Sequence, residues 1–422
     1  MPAAGALSYA YFLNNARIAE EAKFDLIFFA DGIGVRADDE PAGSLCRSSQ
    51  NVELEPLTLL SALAPMTKYI GLVTTASTTY NEPYHIARKF ASLDHISNGR
   101  AGWNIVTSWS EQEAWNFNRA KHLDYDTRYE RAEEFVEVVT GLWNSWEDDA
   151  FIRDKASGIY YDQAKLHVLG HKGKHFSVRG PLSSARTPQG RPIMIQAGAS
   201  APGQEIAAKH ADAVYTSNLD IETAQAYYAS LKGRLATHRR APEELLVLPA
   251  VTTFVAETRE EAQRKFDELQ ALIDPLLGLQ QIYRQMGDLS GYPLDGPVPQ
   301  PTNVQMKSDA ERLYRMAQRE NLTIRQLYEK AAASSSIRCL IGTPETIADD
   351  LEKWFTGGAA DGFNICPSHS PSGIEDFARL VVPELQRRGL FRTEYEGATL
   401  RENLGLPPQT FKTERPLQAA TA

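Results

Sequence analysis

A segment of small residues, Gly198-Ala199-Ser200, follows an apolar run and precedes a predicted helix. A helix that begins there would present free backbone N–H groups and the positive end of its dipole to a ligand. The lack of side-chain bulk at Gly198 and Ala199 would let a phosphate group approach the backbone, and the Ser200 hydroxyl would add a donor. Capping of the helix by Ser200 is the commoner explanation of such a segment, so the residues alone leave both functions open.

Further polar residues lie at or near the carboxyl ends of predicted strands, where α/β barrels carry their functional groups. Asp31 follows the first predicted strand, and its carboxylate would either bind a ligand or only turn the chain. Thr74 and Thr75 lie in the next strand, and Asn104 lies in the one after it. Threonine also suits strands by its β-branched shape, so position alone makes these residues candidates.

The sequence contains no motif of a hydrolase, a zinc protease or a nucleotide-binding loop. HExxH, GxSxG, Walker and strand-linked GxGxxG patterns are absent from it. Three histidines recur every four residues, at His167, His171 and His175. Gly170 and Gly173 would break a helix that aligned them, so we predict no metal site. No residue stands out as a catalytic nucleophile, and the catalytic residues stay unknown at this level.

The elements that would position these residues alternate along the chain. Short apolar runs rich in β-branched and aromatic residues are separated by amphipathic stretches, which is typical of βα units and a parallel sheet. The predicted strands are Phe24–Ala30, Ile70–Thr78, Ala101–Thr107, Pro192–Gly198, Ala211–Ser217, Leu245–Glu257 and Gly362–Ser368. The predicted helices are Ser8–Lys23, Tyr84–Ile96, Arg128–Trp146, Glu205–His210, Thr258–Leu277 and Thr343–Phe355.

The 422 residues are expected to form one α/β domain. Only seven strands are predicted where a closed α/β barrel has eight, and the helix Ser8–Lys23 leads directly into the first of them, so the first barrel strand is predicted to be missing. Residues 108–189 and 279–336 exceed a minimal barrel and are predicted insertions at its mouth. Residues 393–422 are polar and are expected to form a surface tail.

Composition restricts the partners and the cellular compartment that we expect for this protein. The formal net charge of −10 argues against a nucleic-acid partner. Three widely spaced cysteines suit a reducing compartment, and no apolar run reaches the roughly 18 residues of a membrane span. We therefore predict a cytoplasmic protein without a membrane segment.

Several segments resemble the bacterial-luciferase-like flavin monooxygenases. The similarity is to the branch that contains nitrilotriacetate, EDTA, dibenzothiophene-sulfone and dimethyl-sulfide monooxygenases, and it spans most of residues 23–407. The segments are KFDLIFFADG, GLVTTASTTYNEPYHIARKFASLDHISNGRAGWNIVTS, YDTRYERAEEFVEVVTGLWNSWEDDA, HKGKHFSVRGPL, QAGASAPGQEIAAKHADAVYT and GFNICPS. The resemblance implies a (β/α)8 TIM barrel of the luciferase-like type with insertions at its C-terminal face.

The same resemblance implies an enzyme that uses FMN as FMNH2, supplied by a separate NADH-dependent flavin reductase. With O2 it would insert one oxygen atom into a small organic substrate, such as an aminopolycarboxylate or an organosulfur compound, in xenobiotic degradation. A homodimer or homotetramer is expected. The positions implied as FMN contacts are Asp31, Thr74, Thr75, Asn104, Tyr125, Tyr129 and Ser200, with Gly198 and Ala199 beside the last.

Two positions bear on this comparison. Relatives usually have His-x-x-x-Tyr where this chain has Tyr125 and Tyr129, and a phenol is not a cation near neutral pH. The link between Thr74 and Thr75 matches a non-prolyl cis peptide of luciferase-like proteins. Two alternatives stay open: a deazaflavin (F420)-dependent oxidoreductase on the same barrel, and a non-catalytic flavin-binding protein.

Overall fold

The chain is built around a parallel sheet whose strands are followed by helices. The computed structural model describes residues 5–35, 37–48, 52–198, 200–301, 307–334 and 337–411. The main sheet contains β1 (Leu26–Phe29), β2 (Gly71–Ser77), β3 (Ala101–Val106), β6 (Ile193–Gln196), β7 (Ala213–Thr216), β8 (Leu246–Val255), β9 (Arg338–Gly342) and β10 (Asn364–Pro367). The short strands β4 (His171–Lys172) and β5 (Ser177–Val178) form a separate antiparallel pair.

Most helices follow the strands, and several begin at a proline behind a capping residue, as at Glu55-Pro56 and Thr343-Pro344. They are α1 (Tyr9–Glu21), α2 (Pro56–Leu63), α3 (Pro83–Ile96), α4 (Glu111–Asn116), α5 (Tyr125–Trp143), α6 (Ala201–His210), α7 (Ile221–Leu235), α8 (Arg259–Ala271), α9 (Pro275–Met286), α10 (Lys307–Glu320), α11 (Ile324–Ser334), α12 (Pro344–Thr356), α13 (Ser372–Asp376), α14 (Val382–Arg387) and α15 (Leu400–Asn403). The predicted helix Thr258–Leu277 is two helices, because Asp274 and Pro275 start α9. No helix in the described ranges is long and apolar enough to cross a membrane.

The strand order is β1-β2-β3-β6-β7-β8-β10, and β9 pairs with β8 beside this path. All pairings in this sheet are parallel. The seven predicted strands are confirmed with slightly shorter bounds, and β9 was not predicted. This order agrees with the predicted α/β barrel.

The sheet is open between its first and last strands. In the described part of the chain, β1 pairs only with β2, and β10 pairs only with β8. A cavity of about 560 Å³ lies at this seam, and its lining is largely apolar, with Phe28, Leu248 and Phe363 among the contributors. Among the described residues, β1 and β10 thus share no parallel neighbour, in agreement with the predicted lack of a first barrel strand.

The segment around α15 closes the opposite end of the barrel from the predicted site. Leu400 and Leu406 are buried and pack with Val73 and Ile193 inside the sheet. Leu400 lies so close to Gly71, the first residue of β2, that a Cβ there would be 2.5 Å from its Cδ1. The expected surface tail is therefore wrong for residues 400–406, because leucines in this polar segment fill the barrel interior. Residues 412–422 lie outside the described ranges.

A buried ion cluster holds this segment in place. The Asp212 carboxylate accepts hydrogen bonds from Arg191 at 2.6 and 3.0 Å and from Arg401 at 3.1 Å. Burial alone would raise the pKa of Asp212, but attraction to the two guanidinium groups outweighs burial and holds that pKa below its usual value. The cluster thus joins the start of β7 to the C-terminal segment.

The two predicted insertions differ in structure. Within residues 108–189, α5 packs on α3 as a barrel helix, and Phe135 joins the core cluster of Phe90 and Trp103. The second insertion is mainly helical in its described part, and its helices α9, α10 and α11 share an apolar cluster that includes Ile282 and Leu327. Whether both act as insertions over the mouth stays a prediction.

Candidate active site

Four neighbouring strands bring the predicted site residues to one rim of the sheet. Asp31 follows β1, Thr75 lies in β2, Asn104 lies in β3, and Ser200 follows β6. These strands are adjacent and parallel, so the residues line a continuous stretch of their carboxyl-terminal side. The sheet therefore brings together four residues that span 170 positions of the chain.

Thr75 and Asn104 form one polar pair inside the barrel. They are opposite each other in the β2–β3 register, and Asn104 Nδ2 donates to Thr75 Oγ1 at 2.7 Å. Both side chains are buried, as is Thr74. Asn104 Oδ1 is buried and has no hydrogen-bond partner among the described residues. A buried acceptor left in this state indicates a place for a ligand N–H group, because an unpaired buried carbonyl is costly. The Thr74–Thr75 peptide is not among the cis bonds of the chain, so the expected cis peptide is wrong here.

Sequence reasoning missed three further buried polar atoms near the carboxyl ends of the strands, on the face of the sheet opposite Asn104, since Gln196 is in register with Ile105 whereas Asn104 is in register with Ile195. Gln196 Oε1, Thr216 Oγ1 and Thr253 Oγ1 lie on β6, β7 and β8, and none has a partner within the described ranges. Gln196 ends the run PIMIQ as its only polar residue, a signal that was visible in the sequence. The neighbours on this face belong to clusters that pack against helices, so these three atoms do not share the interior site of Asn104 Oδ1.

Tyr129 and Ser200 form a second polar pair at the start of α6. Their hydroxyl oxygens are 3.2 Å apart, and Ser200 Oγ accepts from the Gly203 backbone N–H at 3.3 Å. Ser200 therefore caps the helix, and its hydroxyl also faces the tyrosine. The ring of Tyr125 lies 4.7 Å from that of Tyr129, measured between centroids. This group of hydroxyls at a helix N-terminus has the donors that a phosphate needs.

Gly198 provides space at this helix start. A Cβ on Gly198 would lie 2.5 Å from Gln196 Nε2, so a side chain there would require the Gln196 amide to shift. The Gly198 carbonyl accepts a hydrogen bond from the Tyr227 hydroxyl at 3.3 Å, which fixes the loop. Ala199 lies outside the described residues.

Asp31 lies among other carboxylates at the end of β1. Burial is the largest cause that raises its pKa, and repulsion from Glu53 and Glu55 adds to it. A smaller repulsion comes from Glu113, and together these effects raise the pKa of Asp31 to about 6. Such a carboxyl is poised to exchange a proton or to accept hydrogen bonds from a ligand near neutral pH.

A buried relay of side chains links the ends of β2 and β3. Ser77 Oγ lies 2.8 Å from Ser108 Oγ, and Ser108 Oγ donates to Glu113 Oε1 at 3.1 Å. The second oxygen of Glu113 accepts from the backbone N–H groups of Trp109 and Ser110. Glu113 belongs to the capping box of α4, which no pattern in the sequence had singled out.

The three spaced histidines do not converge. Each approaches a different carboxylate, in the pairs His167–Glu147, His171–Glu134 and His175–Glu130. This agrees with the absence of a shared helix face, because the segment forms the β4–β5 pair and its flanks.

A different set has metal-ligand character. Ligand atoms of Glu133, Glu137 and His210 lie within 4.8 Å of one another. Lys209 Nζ contacts the two glutamates at 2.6 and 2.8 Å, so an ammonium already offsets part of their negative charge.

Comparison with known proteins agrees with this architecture. The sequence profile described as luciferase-like monooxygenase matches residues 1–361. The N-acetyl-S-(2-succino)cysteine monooxygenase of Bacillus subtilis (strain 168) is 50% identical over 410 residues, 96% of this chain and 91% of that protein. Nitrilotriacetate monooxygenase component A of Aminobacter aminovorans is 49% identical over 405 residues, 94% of this chain and 89% of its own length. The crystal structure of a riboflavin lyase (RcaE) with modified FMN and riboflavin has a TM-score of 0.81 and 31% identity, and it covers 95% of this chain and 90% of its own.

Proposed function

Because this chain belongs to the luciferase-like monooxygenase family, we propose that it is the oxygenase component of a two-component system that uses reduced FMN. The observation that carries the cofactor proposal is the buried, unpaired Asn104 Oδ1, whose amide is bound to Thr75 inside the barrel. Reduced FMN, when bound, reacts with O2 and supplies one oxygen atom to the substrate. The name "component A" of the nitrilotriacetate relative supports a separate partner, which would be an NADH-dependent flavin reductase.

The residues present fit an FMN molecule with the phosphate at the start of α6. Ser200, Tyr129 and the free N–H groups of the helix would hold the phosphate, and Tyr125 would lie beside it. Gly198 would let the phosphate reach the backbone. A related structure that contains modified FMN supports this class of ligand.

The flavin ring would then lie over the barrel interior, where its polar edge meets the strand ends. Asn104 Oδ1 would accept from a ring N–H, and Thr75 would orient the Asn104 amide through the 2.7 Å hydrogen bond. Asp31 would accept a second hydrogen bond or hold a proton near the ring. The buried walls of the barrel would exclude water, which otherwise diverts the oxygen to hydrogen peroxide.

For the substrate we propose a small organic acid or organosulfur compound. Relatives that are about half identical act, by their names, on nitrilotriacetate and on N-acetyl-S-(2-succino)cysteine. Both names describe small molecules with several carboxylates.

The deciding experiment is turnover under ¹⁸O2 with chemically reduced FMN and a panel of aminopolycarboxylates and thioether acids. Mass spectrometry should find one ¹⁸O atom in a product, and a flavin reductase with NADH should replace the chemical reductant. Turnover with reduced F420 but not with FMNH2 would contradict the proposal. FMN binding without any oxygenated product would instead favour a flavin-binding protein.

A further inference from the structure

A second cavity, of about 450 Å³, lies beside the loop that follows β2. Its walls come from that loop, the first turns of α3, the segment before α5, and α5 itself. None of Asp31, Thr75, Asn104 or Ser200 lines it. The cavity is therefore separate from the proposed flavin site.

The walls of this cavity carry an excess of positive charge. Lys89, Arg119 and Arg131 line it, against the single carboxylate of Glu82. In the described part of the chain, none of the three cations has a carboxylate oxygen within 4.0 Å of a side-chain nitrogen. Arg191, by contrast, forms a bidentate ion pair with Asp212.

Arg131 is held in position by groups that leave its charge unneutralised. Its Nη1 donates a hydrogen bond to the Thr78 carbonyl oxygen, and its guanidinium lies 4.5 Å from the centroid of the Phe176 ring. Burial lowers the pKa of Arg131 and the nearby Arg119 charge lowers it as well, whereas the carboxylates of Glu82 and Glu134 raise it. Two arginines that repel each other across a cavity form a preorganised arrangement for an anion, because an anion removes the repulsion.

The remaining wall is aromatic. The rings of Tyr80 and Phe117 are stacked with centroids 5.0 Å apart, and both line the cavity. The Tyr80 hydroxyl is hydrogen-bonded to His122 Nδ1, and His122 Nε2 contacts Arg128 Nη1 at 2.9 Å, which fixes the tyrosine. The ligand would thus meet cations on one side and a rigid carbon surface on the other.

We propose that this cavity binds a small polycarboxylate. A guanidinium presents two parallel N–H groups that match a carboxylate, and the separation of the cations over three structural elements favours a ligand with more than one such group. The volume is that of a small-molecule site and exceeds what a single phosphate fills. This inference does not rest on FMN or on oxygenase activity.

The test is isothermal titration calorimetry of citrate into the flavin-free full chain at low ionic strength. Citrate should bind at one site with a dissociation constant below about 1 mM, and added sodium chloride should weaken it. Arg119→Gln and Lys89→Gln should each weaken binding at least tenfold. Arg131→Gln should do the same, but Arg119 and Lys89 keep the test valid if loss of the Thr78 contact unfolds that variant.

A matched control is Arg264→Gln, which removes one positive charge from α8, where Arg264 pairs with Glu268. This variant should bind citrate like the wild type, which separates the cavity from an effect of net charge. Absence of citrate binding would overturn the proposal. So would citrate binding in Arg119→Gln and Lys89→Gln that is as tight as in the wild type. Inorganic phosphate that binds as tightly as citrate would overturn the polycarboxylate class.

The turnover assay decides whether the polycarboxylate that binds this cavity is the substrate or a separate effector. Citrate that inhibits oxygenation in competition with the substrate would make the cavity part of the substrate site. Citrate that binds in calorimetry without competing would identify a separate effector site. Failure of turnover itself would contradict the proposed function and leave the calorimetric result standing.

Discussion

The hydroxyl oxygens of Tyr129 and Ser200 lie 3.2 Å apart, although 71 positions separate the two residues in the chain. This contact joins the first turns of α5 to the N-terminus of α6. Two side chains that separately cap or pack a helix therefore form one polar group. A dianionic ligand at this point would receive both hydroxyls together with the helix N–H groups.

Ser200→Asp should weaken FMN binding at least tenfold while the helix stays capped. Aspartate is as good an N-cap as serine, but its charge would repel the phosphate, and such a repulsion at about 4 Å reaches a few kcal/mol near a protein surface. The measurement is fluorescence titration with FMN.

The matched control for this variant is Thr343→Asp at the N-cap of α12, where the threonine side chain accepts from the Thr346 N–H. The control should bind FMN like the wild type. FMN affinity that is unchanged in Ser200→Asp would show that the phosphate lies elsewhere.

The double variant Thr75→Val/Asn104→Leu should lose flavin affinity without losing stability. Replacing both hydrogen-bonding partners with apolar groups also removes the unpaired Asn104 Oδ1, so the free energy of unfolding should change by less than about 1 kcal/mol or rise. Urea denaturation of the flavin-free chain and FMN titration give the two quantities. A large loss of stability would show that Asn104 serves the fold.

Asp31 should make stability decline as pH rises from about 4 to 6. Its folded-state pKa is raised to about 6 from 3.8, so the folded chain holds a proton there that the unfolded chain releases. The free energy of unfolding therefore falls with rising pH in this window. Asp94 contributes in the same direction, since burial raises its pKa to about 6 as well.

Asp31→Asn isolates the contribution of Asp31 to the pH dependence of stability. The variant keeps a neutral side chain at all pH values, so its stability relative to the wild type should grow between pH 4 and 7. Urea unfolding of flavin-free protein at several pH values measures this difference. If the free energy of unfolding depends on pH in the same way for both proteins, the electrostatic description of Asp31 is contradicted.

Asp212→Asn should destabilise the chain by about 3–5 kcal/mol, because it leaves Arg191 and Arg401 buried without a countercharge. The control is Asp295→Asn, which removes an exposed partner of Arg325 and should cost less than about 1 kcal/mol. Thermal or urea unfolding compares the two. Equal losses would show that the buried cluster does not anchor the C-terminal segment.

Leu279–Pro301, which comprises most of α9 and the segment that follows it, should act as part of a lid. Arg284 lies over the Trp109 ring at 5.5 Å, so α9 touches the loop after β3. Chymotrypsin should cut at Tyr292, which is 49% exposed, more slowly when FMN and substrate are bound. Cleavage at Tyr160, which is 60% exposed, should not slow. Equal protection at both positions, or none, would contradict a lid.

Much of the secondary structure followed from local patterns. The runs IGLVTTAST and PIMIQ are strands because continuous β-branched and apolar residues suit a sheet covered on both faces. Thr343-Pro344 starts a helix because threonine caps and proline needs no N–H partner there. The strand β9 was missed because its five residues, RCLIG, carry too weak a signal beside the long helical segments around it.

The sequence by itself determined seven strands of the main sheet, their alternation with helices and the resemblance to a flavin monooxygenase family, since each depends on residue types at short spacing. Only the tertiary structure placed Leu400 and Leu406 in the barrel interior and paired Arg401 with Asp212. It also showed that Asn104 Oδ1 and Gln196 Oε1 lack partners. Burial, ion pairing and unpaired acceptors depend on atoms far apart in the chain, and no local pattern encodes those distances.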